Sequence, residues 1–177
     1  IKDAGTYSAE IKGATNFVLS SNVVSGTIPP YKEIVETQTI YGDSSSDRLG
    51  YSDNEGFGTA CFNKDGTKLA LSTFSGQKVY VYTLTNGTYV LDSGMPLTSS
   101  NTYYGYAVSL NDDGTILAFN DFVNGSNGNT YVYQYAGGSW SLRATFGSGQ
   151  YYTKSSILDG VGNRILSSAS GTNTMKI

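Results

Sequence analysis

Apolar and polar positions along this chain change over in short runs, with a period of two rather than the longer period of a helix. GTACFN (58–63), KLALSTF (68–74), KVYVYTL (78–84) and TYVLD (88–92) carry the apolar positions of one stretch. Polar breaks rich in Gly, Asn and Asp separate them. The same order returns at 105–110, 115–121, 130–135 and 139–145. Alternating runs of this length bounded by turn residues predict β-strands. VYVY and YVYQY are apolar or aromatic at nearly every position, which predicts strands covered on both faces by neighbouring sheets.

The breaks repeat as well. NKDGTKLALS (63–72) is restated as NDDGTILAFN (111–120), a step of 48 residues. A third, degenerate copy sets Gly162 in register with Gly66 and Gly114, and Ile165 with Leu69 and Leu117. Asp65-Gly66, Asp113-Gly114, Asn86-Gly87 and Gly137-Gly138 supply the positive-φ residues that tight hairpins need. Gly66, Gly114 and Gly162 are therefore structural. Four short antiparallel strands per repeat, restated, is the signature of a β-propeller blade, which buries its faces only by stacking on the next. The expected fold is all-β: a partial propeller of four-stranded antiparallel blades over 28–177, with blades at about 56–96, 104–146 and an incomplete 152–177. A run at 31–40, YKEIVETQTI, matches the position of an outer strand. Three blades are fewer than a closed ring needs, so the expectation is a fragment of a longer protein.

GYAVSLNDDGTILAF followed by NTYVYQYAGGSWSLRATF resembles the blades of β-propellers of the FG-GAP-like kind, and more loosely WD-repeat blades. No Trp-Asp dipeptide and no clean Asp-x-Asp-x-Asp-Gly calcium loop accompanies the likeness. Residues 3–24, DAGTYSAEIKGATNFVLSSNVV, resemble the last two strands of an immunoglobulin-like domain, assigned to 1–27. There Asp3-x-Gly5-x-Tyr7 matches the corner before the penultimate strand, and the resemblance gives Tyr7 a structural role, its hydroxyl bonding back to the backbone. Ala9 stands where disulfide-bonded members carry Cys. Pro29-Pro30 reads as a stiff hinge between the two parts.

Composition narrows the chemistry. The 177 residues hold 15 Tyr and 22 Gly, only 14% charged residues, a net charge of −3, and no His. The absence of His removes the commonest general base and metal-ligating side chain. Eleven scattered basic residues give no footprint for nucleic acid. No apolar run reaches the roughly 18 residues of a membrane span. Cys61, the single cysteine, falls in an inner strand opposite Ser109 and reads as a small packed residue. Asp65 and the Asp112-Asp113 pair sit in turns, where backbone bonding accounts for them.

The acidic loop GDSSSDRLGYSDNEG (42–56) is the most unusual segment. Asp43, Asp47, Asp53 and Glu55 lie in it, and Asp43, Asp47 and Asp53 are a weak calcium candidate through oxygen ligands. No other cofactor is expected. In propeller geometry this loop opens on the same face as Tyr103-Tyr104 and Tyr151-Tyr152, and that face is the expected partner-binding surface. With no catalytic constellation, the expectation is a non-enzymatic structural or adhesive module binding protein partners in a larger assembly. Its tandem arrangement resembles surface or minor structural proteins of large virions, at the virion surface or outside the cell. The alternatives are a cell-surface adhesin and a carbohydrate-binding or carbohydrate-active propeller, with glycans as ligands.

Overall fold

The structure, a computed structural model, describes residues 6–10, 23–27, 37–50, 60–73, 77–100, 104–121, 128–147, 153–169 and 174–176. All regular structure among them is β-strand, and every strand pair is antiparallel. The chain divides into two compact units, 1–37 and 38–177. In the first, β1 (Thr6–Glu10) pairs with β2 (Val23–Thr27), Tyr7 opposite Gly26. The Tyr7 side chain lies outside what is described. The outer strand expected over 31–40 is not formed at 37–40, where Gln38 instead bonds the Tyr89 backbone through both ends of its amide, at 2.7 and 3.0 Å. Residues 31–36 lie outside the described residues.

The second unit holds three sheets in chain order. Sheet 1 contains β3 (Ala60–Phe62), β4 (Lys68–Ser72), β5 (Lys78–Thr85) and β6 (Thr88–Leu91), with β7 (Leu97–Thr98) also on β5. Sheet 2 runs β8 (Val108–Leu110), β9 (Ile116–Asn120), β10 (Asn129–Ala136), β11 (Ser139–Gly147). Sheet 3 runs β12 (Thr153–Leu158), β13 (Ile165–Ala169), β14 (Thr174–Lys176). Sheet 1 thus has five strands where four were expected. Its fourth strand breaks after Leu91, and β7 resumes the pairing beyond the break.

The repeated sequence is a repeated turn. In each copy the backbone N–H of the first residue donates to the carbonyl five places on: Asn63 to Lys68, Asn111 to Ile116, Asp159 to Arg164. The side-chain oxygen of that residue accepts the return bond from the N–H of Lys68, Ile116 or Arg164. Gly66, Gly114 and Gly162 hold φ of 73°, 71° and 77°, a region an L side chain enters at a cost. Successive turns are also stitched across the sheets, with Lys64 N–H donating to Asp112 O and Asp112 N–H to Gly160 O. The first two turns therefore do two jobs, closing their own hairpins and holding the next sheet in place.

Packing follows from the period-two pattern. Val79 and Val81 of β5 face sheet 2, where they meet Val108, Leu110, Leu117, Phe119 and Trp140 in one core. Tyr80 and Tyr82 face the other side with Leu69, covered by Ile40 and Leu49. A third cluster, Ile116, Ala118 and Val132 against Leu158 and Ile165, joins sheet 2 to sheet 3. β9 is buried at all five positions, as a strand enclosed on both faces should be.

Candidate functional site

β4 and β9 end in polar residues on the side away from the repeated turns, and the polar groups gathered there divide into a buried set and an accessible one. In the buried set, Asn120 Nδ2 donates to Thr130 Oγ1 at 2.9 Å and Ser156 Oγ to Asn120 Oδ1 at 2.6 Å, while Thr130 and Ser167 hydroxyls share a 3.2 Å bond. Asp121 is fully buried and accepts from the Asn129 backbone and side chain and, at 2.8 Å, from the Tyr131 hydroxyl. A buried carboxylate needs such donors to stay where it is. These groups are engaged with one another and tie sheets 2 and 3 together.

The accessible set is built around Lys78, the first residue of β5. Gln77 enters with φ of 53°. The Lys78 backbone then exchanges bonds with Thr73, fixing the strand start: its carbonyl accepts from Thr73 N–H and its N–H donates to Thr73 Oγ1, both at 3.0 Å. Its ammonium donates to Asp43 Oδ2 at 2.8 Å and Asp47 Oδ2 at 2.9 Å, and the Tyr80 hydroxyl donates to the same Asp43 oxygen at 3.0 Å. The two acids are brought there by a local turn, Asp47 N–H to Ser44 O, and by the Leu49–Thr73 bridge that lays the loop on the end of β4. Asp47 is enclosed, whereas the Asp43 side chain is 58% exposed.

Charge and burial set the protonation states. Hydrogen bonds from Lys78 and then from Tyr80 hold the Asp43 carboxyl below its usual range. Bonds to Asp43 and Asp47 raise Lys78 above its own. Burial, then donation to Asp43, pushes the Tyr80 hydroxyl up to about 12. The result at neutral pH is an ionised, solvent-facing carboxylate flanked by an ammonium and a neutral phenol. Such a carboxylate can orient a water molecule, and such an ammonium can stabilise an oxyanion forming beside it.

Of the residues expected on a partner-binding face, Asp43 and Asp47 are brought together. Asp53, Glu55, Tyr103, Tyr151 and Tyr152 lie outside the described residues. Tyr104 requires a correction. It is 3% exposed, edge-on to Phe119 with ring centroids 4.8 Å apart, and its hydroxyl bonds Tyr133 at 3.2 Å. It fills the core between sheets 1 and 2 because burying an aromatic ring there outweighs leaving it wet. Among the described residues no group of three or more His, Cys, Asp or Glu is placed to hold a metal, and Lys78 Nζ already sits between the two loop acids. Cys61 is half-buried, its thiol pushed up to about 11 by burial.

Lys78 and Tyr80 were not singled out by the sequence, where they read only as strand residues. The signal that could have found them is the concentration of acid in 42–56, which demands a cation among the strands it packs on.

No protein-family model matches the chain, and no curated protein matches it. Solved structures do resemble it. A protein from Bacteroides fragilis NCTC 9343 described as a "putative 6-phosphogluconolactonase" aligns at TM-score 0.52 with 15% identity, covering 66% of this chain and 32% of its own. One from Bacteroides uniformis ATCC 8492, described in the same words, aligns at TM-score 0.56 with 14% identity, covering 87% and 43%. TolB from Acinetobacter baumannii aligns at TM-score 0.40 with 16% identity over 67% and 31%. The chain thus spans under half the length of each. The expectation of a non-enzymatic adhesive or virion-surface module is corrected by the two Bacteroides proteins: the fold is one met in proteins bearing an enzyme's name, and neither of them is viral.

Proposed function

We propose that sheets 1 to 3 are consecutive blades of a β-propeller whose strand-end face, at the Asp43–Lys78–Tyr80 cluster, hydrolyses the ring ester of a sugar-acid lactone. The observation that carries this reading is the exposed Asp43 carboxylate held ionised within 3.0 Å of both an ammonium and a phenol. The names of the two Bacteroides neighbours supply the substrate class. In the proposed reaction Asp43 orients and deprotonates water for attack on the lactone carbonyl, and the Lys78 ammonium neutralises the tetrahedral oxyanion. Collapse breaks the ring C–O bond, the proton passes to the leaving alkoxide, and the open-chain acid is released.

Spontaneous lactone opening supplies the baseline for the test. The purified chain, incubated with δ-gluconolactone or its 6-phosphate, should open the ring faster than buffer. Asp43→Asn should lose on the order of 10²-fold or more, the usual contribution of a positioned general base. Because Asp43 is exposed, the variant should keep its far-ultraviolet spectrum and stay folded at the assay temperature, with only a small drop in thermal midpoint. A wild-type rate equal to buffer with both lactones would overturn the proposal.

A further inference from the structure

A run of oxidisable rings borders the core between sheets 1 and 2. Tyr131, Tyr133 and Tyr135 alternate along β10 and so share one face, the face packed on that core. Tyr131 stacks on Phe119 with ring centroids 5.4 Å apart, and Phe119 on Tyr133 at 5.5 Å. Tyr104 lies 5.2 Å from Tyr131 by the same measure. At the other end of the strand Tyr135 pairs with Trp140, the only tryptophan, at 5.2 Å. Trp140 and Tyr131 therefore stand about 13 Å apart along the strand, with aromatic rings between them.

The two ends of this ladder differ from its middle. Trp140 Nε1 donates to the Asp92 carboxylate at 3.0 Å, and the Tyr131 hydroxyl donates to the Asp121 carboxylate at 2.8 Å. Each end ring thus has a proton acceptor already in place. In the middle, the Lys68 ammonium lies 4.1 Å from the Tyr135 ring centroid, and a cation there disfavours a positive hole on that ring. The Tyr104 and Tyr133 hydroxyls share a 3.2 Å bond. Burial, and then that bond, raises the Tyr104 hydroxyl well above the usual phenol range, so this ring keeps its proton.

We infer that the ladder is a radical relay, which carries an oxidising equivalent from Trp140 to Tyr131. In the first step the Trp140 indole gives one electron to a small one-electron oxidant of the radical class and its Nε1 proton to Asp92. Tyr131 then gives an electron through the intervening rings to the indolyl radical, its hydroxyl proton passes to Asp121, and Asp92 returns the first proton to Nε1. The oxidant has gained one electron, Tyr131 is a neutral phenoxyl radical and Asp121 is protonated. A soluble reductant such as ascorbate returns the electron, Asp121 returns the proton, and the relay is reset. The benefit falls on Trp140, whose indole seals the Lys68–Asp92 pair and would open that contact if oxidised permanently. The inference rests on the core between sheets 1 and 2 and is independent of lactone hydrolysis.

The test is pulse radiolysis of the whole chain in azide solution at neutral pH, where azidyl radicals oxidise indole in preference to phenol. The indolyl absorption should decay, and the phenoxyl absorption rise, with one first-order rate that does not change with protein concentration. Tyr131→Phe should slow that conversion on the order of tenfold, whereas Tyr135→Phe, which keeps the bridging ring, should leave it nearly unchanged. Spin trapping in the wild-type chain followed by peptide mass mapping needs no variant, and should place the adduct on Tyr131. A conversion rate that scales with protein concentration would mean transfer between molecules and overturn the inference. An adduct confined to other tyrosines, an unchanged rate in Tyr131→Phe, or a tenfold loss in Tyr135→Phe would overturn it equally, since the radical would then come to rest elsewhere.

Discussion

Tyr80 shows how one side chain can belong to the core and to the site at once. The residue is 2% exposed and packs with Leu69 and Tyr82, yet its hydroxyl reaches the exposed Asp43. The alkaline behaviour of the fold follows. An unfolded tyrosine releases its proton near pH 10, and the folded one holds it to about 12. Between those values the folded state binds the extra proton, so stability falls as pH rises. Lys78 acts with the same sign, its pKa raised by Asp43 and Asp47. Asp43 acts at the other end: its lowered pKa contributes stability above the unfolded value, lost as pH falls through the folded one. A plateau bounded by these two flanks is expected. Thermal midpoints followed by circular dichroism from pH 9 to 12 should drop less steeply in Tyr80→Phe than in wild type, and matching slopes would show that this hydroxyl is not what titrates.

The repeated turn is the element that the sequence announced most clearly, and the reason is local. Gly, Asn and Asp are used there for backbone conformation and side-chain-to-backbone bonds within five residues, so spacing alone exposes them. What spacing did not disclose is that the three glycines differ. A Cβ on Gly66 would meet only the Tyr89 hydroxyl at 4.0 Å, whereas one on Gly114 would lie 2.6 Å from Lys68 Cγ and one on Gly162 2.9 Å from Ile116 Cγ1. Gly66→Ala should therefore cost only the positive-φ penalty, about 1–2 kcal/mol. Gly114→Ala should cost distinctly more, because Lys68 is tethered to Asp92 and cannot swing aside freely. Urea unfolding of the two variants makes the comparison, and equal losses would mean that the contact between sheets 1 and 2 yields easily at this point. The acidic loop shows the opposite case: Asp43 and Asp47 were visible as acids, but their partner Lys78 lies 35 and 31 residues away, beyond any local pattern.

At the scale of the molecule, the contact between sheets 1 and 2 is held by apolar burial and by an enclosed ion pair. Lys68 and Asp92 have side chains 11% and 3% exposed, the ammonium lies 4.1 Å from the Tyr135 ring centroid, and Trp140 seals the pair from sheet 2. Nothing in the sequence marked this cluster. Asp92 sits in the break between β6 and β7, and Trp140 lies 48 residues away on another sheet, so only the stacking brings them together. A buried pair of this kind gives little net stability when intact, since desolvation offsets the Coulombic attraction, but breaking it strands the remaining charge. Asp92→Ala should thus lose about 3–5 kcal/mol, leaving Lys68 buried without its carboxylate and Trp140 without its acceptor. Replacing both, Lys68→Met with Asp92→Leu, should recover much of that loss, because an apolar pair of similar volume needs no desolvation. Trp140 is the only tryptophan, so its fluorescence reports the same site during denaturant unfolding. If the single variant unfolds with the wild-type midpoint, or the double variant is no better than the single, the ion pair is not what couples sheet 1 to sheet 2, and the apolar core between them must carry the stack alone.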